Sequence, residues 1–417
     1  MEEFRKSLQD ELVSDILAFW INRMPDYENG GFYGRIDGNG RLHKEANKGA
    51  ILNARILWTF SAAYRIFKNP DYLEMAIRAK KYIQDHFWDN ELGGIYWELD
   101  CKGNPVNTKK QIYAQGFALY GFSEFYRATN DFESLEMAKK LFFLIEQYSH
   151  DDVYGGYLEA FTREWQPIED MRLSDKDVNE KKTMNTHLHI LEPYTNLLRV
   201  WKGEELMEAQ HKLIDIFSEK ILNPKTGHLN LFFDEQWNCK SETVSYGHDI
   251  EASWLLFEAA EELGYENLVH KIRQISLKIA ETALEGLQPD GSMIYESEGQ
   301  NIDAERHWWV QAETVVGLYY AFLNSGKDEY LKKAQKCWQY IQQHLIDREH
   351  GEWFWSVDEN GLPNTHDDKA GFWKCPYHNA RMCMETSPDL YYLQHKTKVL
   401  DQHFHFTTEN LNFAPKS

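Results

Sequence analysis

Six times along this chain a glycine turn is followed by a short run of alternating aromatic and polar residues. The copies read GGFYGRID from Gly30, GGIYWELD from Gly93, GGYLEAF from Gly155, GHLNLFFD from Gly227, GSMIYE from Gly291 and GEWFWSVD from Gly351. Measured on Gly31, Gly94, Gly156, Gly227, Gly291 and Gly351, they stand 63, 62, 71, 64 and 60 residues apart. So regular a period marks a repeat architecture, in which each unit buries its apolar face only against its neighbours. Each copy reads as a short strand or hairpin after the glycine turn.

Two helical stretches lie between copies. The first is poor in charge and rich in small residues, as in GAILNARILWTFSAAYRIF and WWVQAETVVGLYYAFLNSG. The second is amphipathic, as in DYLEMAIRAKKYIQDHF, where Tyr72, Ala76, Ala79, Ile83 and Phe87 share one face and Asp71 is placed to cap. A helix apolar all round is buried, and one with a polar face lines the outside. The N-terminal stretch (Leu8, Leu12, Ile16, Trp20) reads as an outer helix, and HNARMCMETSPDLYYLQ as the last inner one, ended or kinked by Pro388. Six inner and six outer helices predict an all-α, closed (α/α)6 barrel with short β-hairpin loops, a single domain over residues 1–417. The alternative is an open helical solenoid, which would leave apolar faces bare at both ends.

Composition narrows the partners. A net charge of −21 argues against nucleic acid and against an anionic membrane surface. No run approaches the length of a membrane span, and the N-terminal MEEFRKSLQDELV lacks the apolar core of a signal peptide. Five cysteines, an odd number without a C-x-x-C pair, fit a reduced cytoplasmic protein. The acidic surface suits a monomer. Aromatic residues at 14% serve core packing first, but flat rings also stack on sugar faces.

Each inner stretch carries polar residues near its start: Asn53 and Arg55; Tyr113 and Gln115; Asn185 and His189; His248 and Glu251; His307, Trp309 and Glu313; His378 and Arg381. The inner helices run the same way, so these residues converge at one mouth. In NTHLHILE, Asn185 and His189 are i, i+4 and share a face, whereas His187 points elsewhere and reads as a structural histidine. That spacing does not make a helical zinc pair. His248 and Glu251 stand at i, i+3, where the carboxylate could hold the imidazole in one tautomer. Trp308, Trp309 and Glu313 in HWWVQAE, and Trp373 ahead of His378, complete the candidate substrate contacts. No metal-ligand spacing, phosphate loop, nucleophile elbow or dinucleotide fingerprint is present, so no metal or cofactor is expected. The charged stretch EDMRLSDKDVNEKK (169–182) falls in the longest repeat step and is a candidate lid over the mouth.

The segments NTHLHILEPYTNLLRVW, GHDIEASWLL, HWWVQAE and WKCPYHNARMCME resemble the cellobiose 2-epimerase branch of the N-acylglucosamine 2-epimerase superfamily, and the likeness covers nearly the whole chain. The resemblance implies an (α/α)6 barrel that epimerises C2 of the reducing-end glucose of β-1,4-linked disaccharides, turning cellobiose into glucosyl-mannose and lactose into epilactose. It implies His248 and His378 as the acid/base pair, His189 as a third essential histidine, and Arg55, Tyr113, Asn185, Glu251, Trp309 and Trp373 as substrate contacts. Imidazole suits the task. Once the sugar ring opens, the C2 proton lies α to a carbonyl, and a base poised near neutral pH can remove it. Arg55 is the candidate donor to the oxyanion growing on O1. An aldose–ketose isomerase or an N-acylglucosamine 2-epimerase would use the same enediolate. A glycoside hydrolase would need two carboxylates across the bond, and a non-catalytic sugar-binding module would leave the histidines unexplained.

Overall fold

The computed structural model describes residues 2–387. Outer and inner helices alternate along them. The outer ones are α1 (residues 2–23), α3 (70–87), α5 (Phe132–Tyr148), α7 (204–221), α9 (266–286) and α11 (328–345). The inner ones are α2 (Ala50–Phe67), α4 (Ile112–Thr129), α6 (Met184–Leu198), α8 (Tyr246–Leu263), α10 (Trp308–Ser325) and α12 (His378–Thr386). Nearly every inner-helix residue is buried, charged ones included. The outer helices bury one stripe, as the amphipathic pattern requires; on α3 it comprises Tyr72, Met75, Ala76, Ala79 and Tyr82, continuing to Ile83 and Phe87. The cap of α3 is Asn69 rather than Asp71: its side chain accepts from the Asp71 backbone N–H, with Pro70 filling the first helical position, where no donor is needed. α12 ends at Thr386, and Pro388 lies outside the described residues. All five cysteines are free thiols.

The strands do more than form local hairpins. Within a repeat the glycine turn is closed by single bridges such as Trp88 to Ile95 and Ile346 to Trp353. The strand just ahead of each inner helix then pairs with the glycine motif of the next repeat. Lys48–Gly49 pairs with Glu98–Leu99, Lys110–Gln111 with Ala160–Phe161, and Lys182–Thr183 with Phe232–Phe233. Thr243–Ser245 pairs with Glu296–Glu298, and Arg306–His307 with Ser356–Val357. A sixth pairing joins Ile36 of the first motif to Ala370 ahead of α12. That pairing, with α1 packed on α12, closes the ring and excludes the open solenoid.

A buried ion pair pins four of these junctions. Lys48 donates to Asp26 at 2.8 Å, Lys110 to Asp89 at 3.0 Å, Lys182 to Asp151 at 2.6 Å and Lys369 to Asp347 at 2.6 Å. Each lysine also donates to a carbonyl of the glycine turn, at Gly30, Gly93, Gly155 or Gly351. Each aspartate accepts from two backbone N–H groups of the turn that follows it. Inside the ring, Gly116 of α4 lets α6 approach closely, since a Cβ there would stand 2.4 Å from the His189 carbonyl oxygen.

Asp89 carries the heaviest load, because Arg163 joins Lys110 on it at 2.9 and 3.0 Å. Burial alone would raise its pKa, but hydrogen bonds from Arg163 and Lys110 hold it below the ordinary carboxylate value. Asp89→Ala leaves Lys110 buried and unpaired, and is expected to cost about 3 kcal/mol or more in urea unfolding. In the wild type this stabilisation is complete above the unfolded carboxylate value of about 4 and is lost as pH falls below it.

Candidate active site

Five of the six inner helices begin directly from a strand, so their opening residues are registered by the pairing beneath; α12 follows the irregular stretch 371–377. Three histidines stand at the mouth, each tied through Nδ1. His189 Nδ1 lies 3.0 Å from Glu192, His378 Nδ1 lies 2.7 Å from Glu313, and His248 Nδ1 lies 2.8 Å from the Ser245 hydroxyl. None of the three makes a hydrogen bond through Nε2 among the described residues; the nearest carboxylate oxygen to His189 Nε2, on Glu251, is 4.0 Å away. His187 differs. Its Nδ1 meets the Thr183 carbonyl and its Nε2 accepts from the Tyr157 backbone N–H, so both nitrogens are spent on structure. The two histidines of NTHLHILE thus divide into one that holds the fold and one that faces the mouth.

Trp309 links the other two. Its indole lies 4.7 Å from the His248 ring and 5.8 Å from the His378 ring, so the imidazoles are separated by no more than the sum of those distances. Tyr113 packs edge-on to His189 at 5.0 Å and to Trp373 at 5.9 Å. Trp308 is more deeply set, against Trp355 at 4.5 Å, with its Nε1 unpartnered. Asn185 is half-buried, and its Oδ1 also lacks a partner.

A layer of buried charge underlies the rings. Arg381 donates to Glu251 at 2.8 Å, to Glu313 at 2.6 Å and to Glu192, and stacks between Trp254 and Tyr377. Tyr377 also donates to Glu192. Burial would raise the Glu192 carboxyl, but Arg381 and the His189 bond pull it down to about 2. Glu251 is driven well above its ordinary value by burial and then by the Glu313 charge. Glu313 is raised by burial against the pull of Arg381. Both carboxyls are thus biased toward their protonated forms. Burial holds the imidazoles neutral: His248 is lowered to about 3, with His189 adding to the effect, and His378 and His189 are lowered as well.

Arg55 is the second buried cation. It donates to the Tyr113 hydroxyl at 2.8 Å and to the Trp373 carbonyl at 3.3 Å, and lies over the Phe117 and Tyr377 rings. Among the described residues no carboxylate pairs with it, so its charge is available to an incoming anion. Glu251, Glu313 and His378 are also the set whose donor atoms converge closely enough for a metal ion. The Arg381 guanidinium already bridges both carboxylates, so a cation of the chain's own occupies that role.

One expectation is corrected. Glu251 does not hold His248; Ser245 does, because it ends the strand three residues earlier and lies beside the ring, while Glu251 reaches the axis and Arg381. Glu313, a candidate substrate contact, has its oxygens bonded to His378, Arg381 and Trp254. Glu192, Ser245 and Tyr377 were not singled out as site residues. Glu192 was detectable, since it stands i+3 from His189, the spacing already noted for His248 and Glu251.

Over residues 31–381 the sequence matches the N-acylglucosamine 2-epimerase (GlcNAc 2-epimerase) family. It is 58% identical to the cellobiose 2-epimerase of Bacteroides fragilis, over 92% of this chain and 98% of that protein. The chain belongs to the cellobiose 2-epimerase branch of the N-acylglucosamine 2-epimerase family. The cellobiose 2-epimerase of Dictyoglomus turgidum is 39% identical, over 92% of this chain and 98% of that one. The solved structure of the cellobiose 2-epimerase from Bacillus thermoamylovorans B4167, 42% identical, superposes with a TM-score of 0.89 over 94% of this chain and all of that one. Membership of this branch makes the chain an enzyme of the carbohydrate epimerase and isomerase class. Among the described residues no helix is long and apolar enough to cross a membrane.

The buried charge layer is testable by itself. Arg381→Lys replaces a fork that reaches three carboxylates with a point charge that cannot, and is expected to lower unfolding free energy by about 3 kcal/mol, followed by tryptophan fluorescence in urea.

Proposed function

We propose that this enzyme epimerises C2 of the reducing-end glucose of β-1,4-linked disaccharides, cellobiose to glucosyl-mannose and lactose to epilactose. The observation that carries the reading is the pair of imidazoles, each with a free Nε2, that both pack against Trp309. Ring opening exposes the C1 aldehyde and acidifies the C2 proton. The Nε2 of neutral His248 takes that proton, leaving a planar enediolate. Charge growing on O1 meets Arg55, whose lack of a carboxylate partner suits it to an oxyanion.

Return of a proton to the opposite face falls to His378. The Glu313–His378 pair holds the proton: protonated Glu313 donates to Nδ1, and Nε2 carries the hydrogen that is delivered. As Nε2 gives its proton to C2, the Glu313 proton passes to Nδ1, so the imidazole ends neutral. His189 serves as the third essential histidine. Tyr113, Asn185, Trp309 and Trp373 position the sugar rings, with Trp308 behind them. Glu251 and Glu313 lie under the histidines and are bound to Arg381, an arrangement unlike the open pair that hydrolysis needs. The same reading has the protein act as a cytoplasmic monomer.

The test is a product assay on lactose and cellobiose with chelator present, followed by sugar chromatography. Epilactose and glucosyl-mannose are expected; monosaccharides, or a ketose as main product, would overturn the reading. His248→Ala and His378→Ala are each expected to lower kcat by about a thousandfold with folding intact by circular dichroism. Full activity in either removes that histidine from the acid/base pair.

A further inference from the structure

His248 is the exception among the site histidines, since its Nδ1 meets a hydroxyl where the others meet a carboxylate. A hydroxyl has one proton, so what Ser245 does to His248 depends on where that proton points. Ser245 is buried at the end of the strand Thr243–Ser245 and stands in register with Glu296 on the neighbouring antiparallel strand. Directly opposed residues of such a pair project to the same face. The Ser245 side chain thus has a histidine as its hydrogen-bond partner and a carboxyl group beside it on the same face of the strand pair.

We infer that Glu296, acting through Ser245, is a positioning residue that decides which nitrogen of His248 carries the proton. As a carboxylate, Glu296 can only accept. It draws the Ser245 O–H toward itself, and the serine oxygen then accepts from His248 Nδ1–H. Nε2 keeps its lone pair, which is the form a C2 base requires. As a carboxylic acid, Glu296 can donate to the serine oxygen. The Ser245 O–H then turns to Nδ1, the imidazole hydrogen moves to Nε2, and the base is lost. No atom is gained or lost beyond the one proton that Glu296 exchanges with water.

The surroundings suit such a switch. Glu296 lines a cleft of about 690 Å³, open to water, together with Glu298, Asp303, Asp358 and Glu359. Asp303 faces it from the adjoining strand, Asp177 acts on it from the 169–182 segment, and Tyr295 beside it stacks on His307 at 3.9 Å. Burial, then Asp303, raises the Glu296 carboxyl to about 7, against the lowering by Ser245 and Tyr295. The base form of His248 is therefore present above this value and is withdrawn as pH falls through it.

This inference rests on the proposed role of His248 as base. Its test compares wild type, Glu296→Gln, Glu296→Asp and Ser245→Ala, measuring kcat and KM for cellobiose from pH 5 to 9. The wild type is expected to lose kcat on the acid side of an ionisation near 7. Glu296→Gln and Ser245→Ala are expected to lose that ionisation and about tenfold or more in kcat at pH 8, with KM within about twofold. Glu296→Asp restores part of both. Wild-type kcat and an unchanged pH profile in Glu296→Gln would overturn the inference. A second readout needs no turnover: ¹⁵N-histidine NMR at pH 8, with His248 assigned from His248→Gln, should show the Nδ1–H tautomer in wild type and a shift toward Nε2–H in Glu296→Gln. An unshifted tautomer overturns the inference independently. A wild type that converts neither cellobiose nor lactose overturns the proposed function instead, and leaves the tautomer result standing alone.

Discussion

One guanidinium at the barrel axis ties fold and site together. Arg381 comes from α12, and the three glutamates it holds come from α6, α8 and α10, so four inner helices meet on a single side chain. Three buried carboxylates in one place would repel one another and lose their hydration; the guanidinium offsets this, and the carboxyls of Glu251 and Glu313 are biased toward protonation. The same carboxylates carry the histidines, since Glu192 binds His189 and Glu313 binds His378. Ring orientation at the mouth therefore follows from charge balance at the axis.

The repeat supplies the rest of the geometry. Because α2, α4, α6, α8 and α10 start where their strands end, side chains in their opening turns are placed by strand register. Ser245 and His248 illustrate this, the one ending a strand and the other in the opening turn of α8. The histidines are alike in leaving Nε2 open, and they differ in what stands behind Nδ1. A carboxyl group behind the ring favours holding a second proton, whereas a hydroxyl does not. Chemical asymmetry between two similar groups is thus produced by their neighbours alone.

Much of this was legible in the sequence. Glycine spacing reveals six units, and helical periodicity separates inner from outer, because both are local properties of the chain. Polar residues in otherwise apolar stretches mark the mouth. What was not legible depends on contacts between distant positions. Glu251 is close to His248 in sequence, yet its side chain serves Arg381, 130 residues away. Nothing in the order of residues says that Ser245 and Glu296 are opposed, or that the strand ahead of one inner helix pairs with the motif of the next repeat. The lysines at 48, 110 and 182 look like ordinary surface charge until the aspartates they meet are seen across a junction.

Those lysine–aspartate pairs have a consequence for how such a scaffold can change. Each fastens its own glycine turn to the strand that leads into the inner helix. A loop hung between two fastened points can lengthen, as the third step of 71 residues has done, without shifting the helix ends on either side. Ancestral variation could therefore reshape the rim, and with it the sugars admitted, while the machinery that moves protons below stays in place.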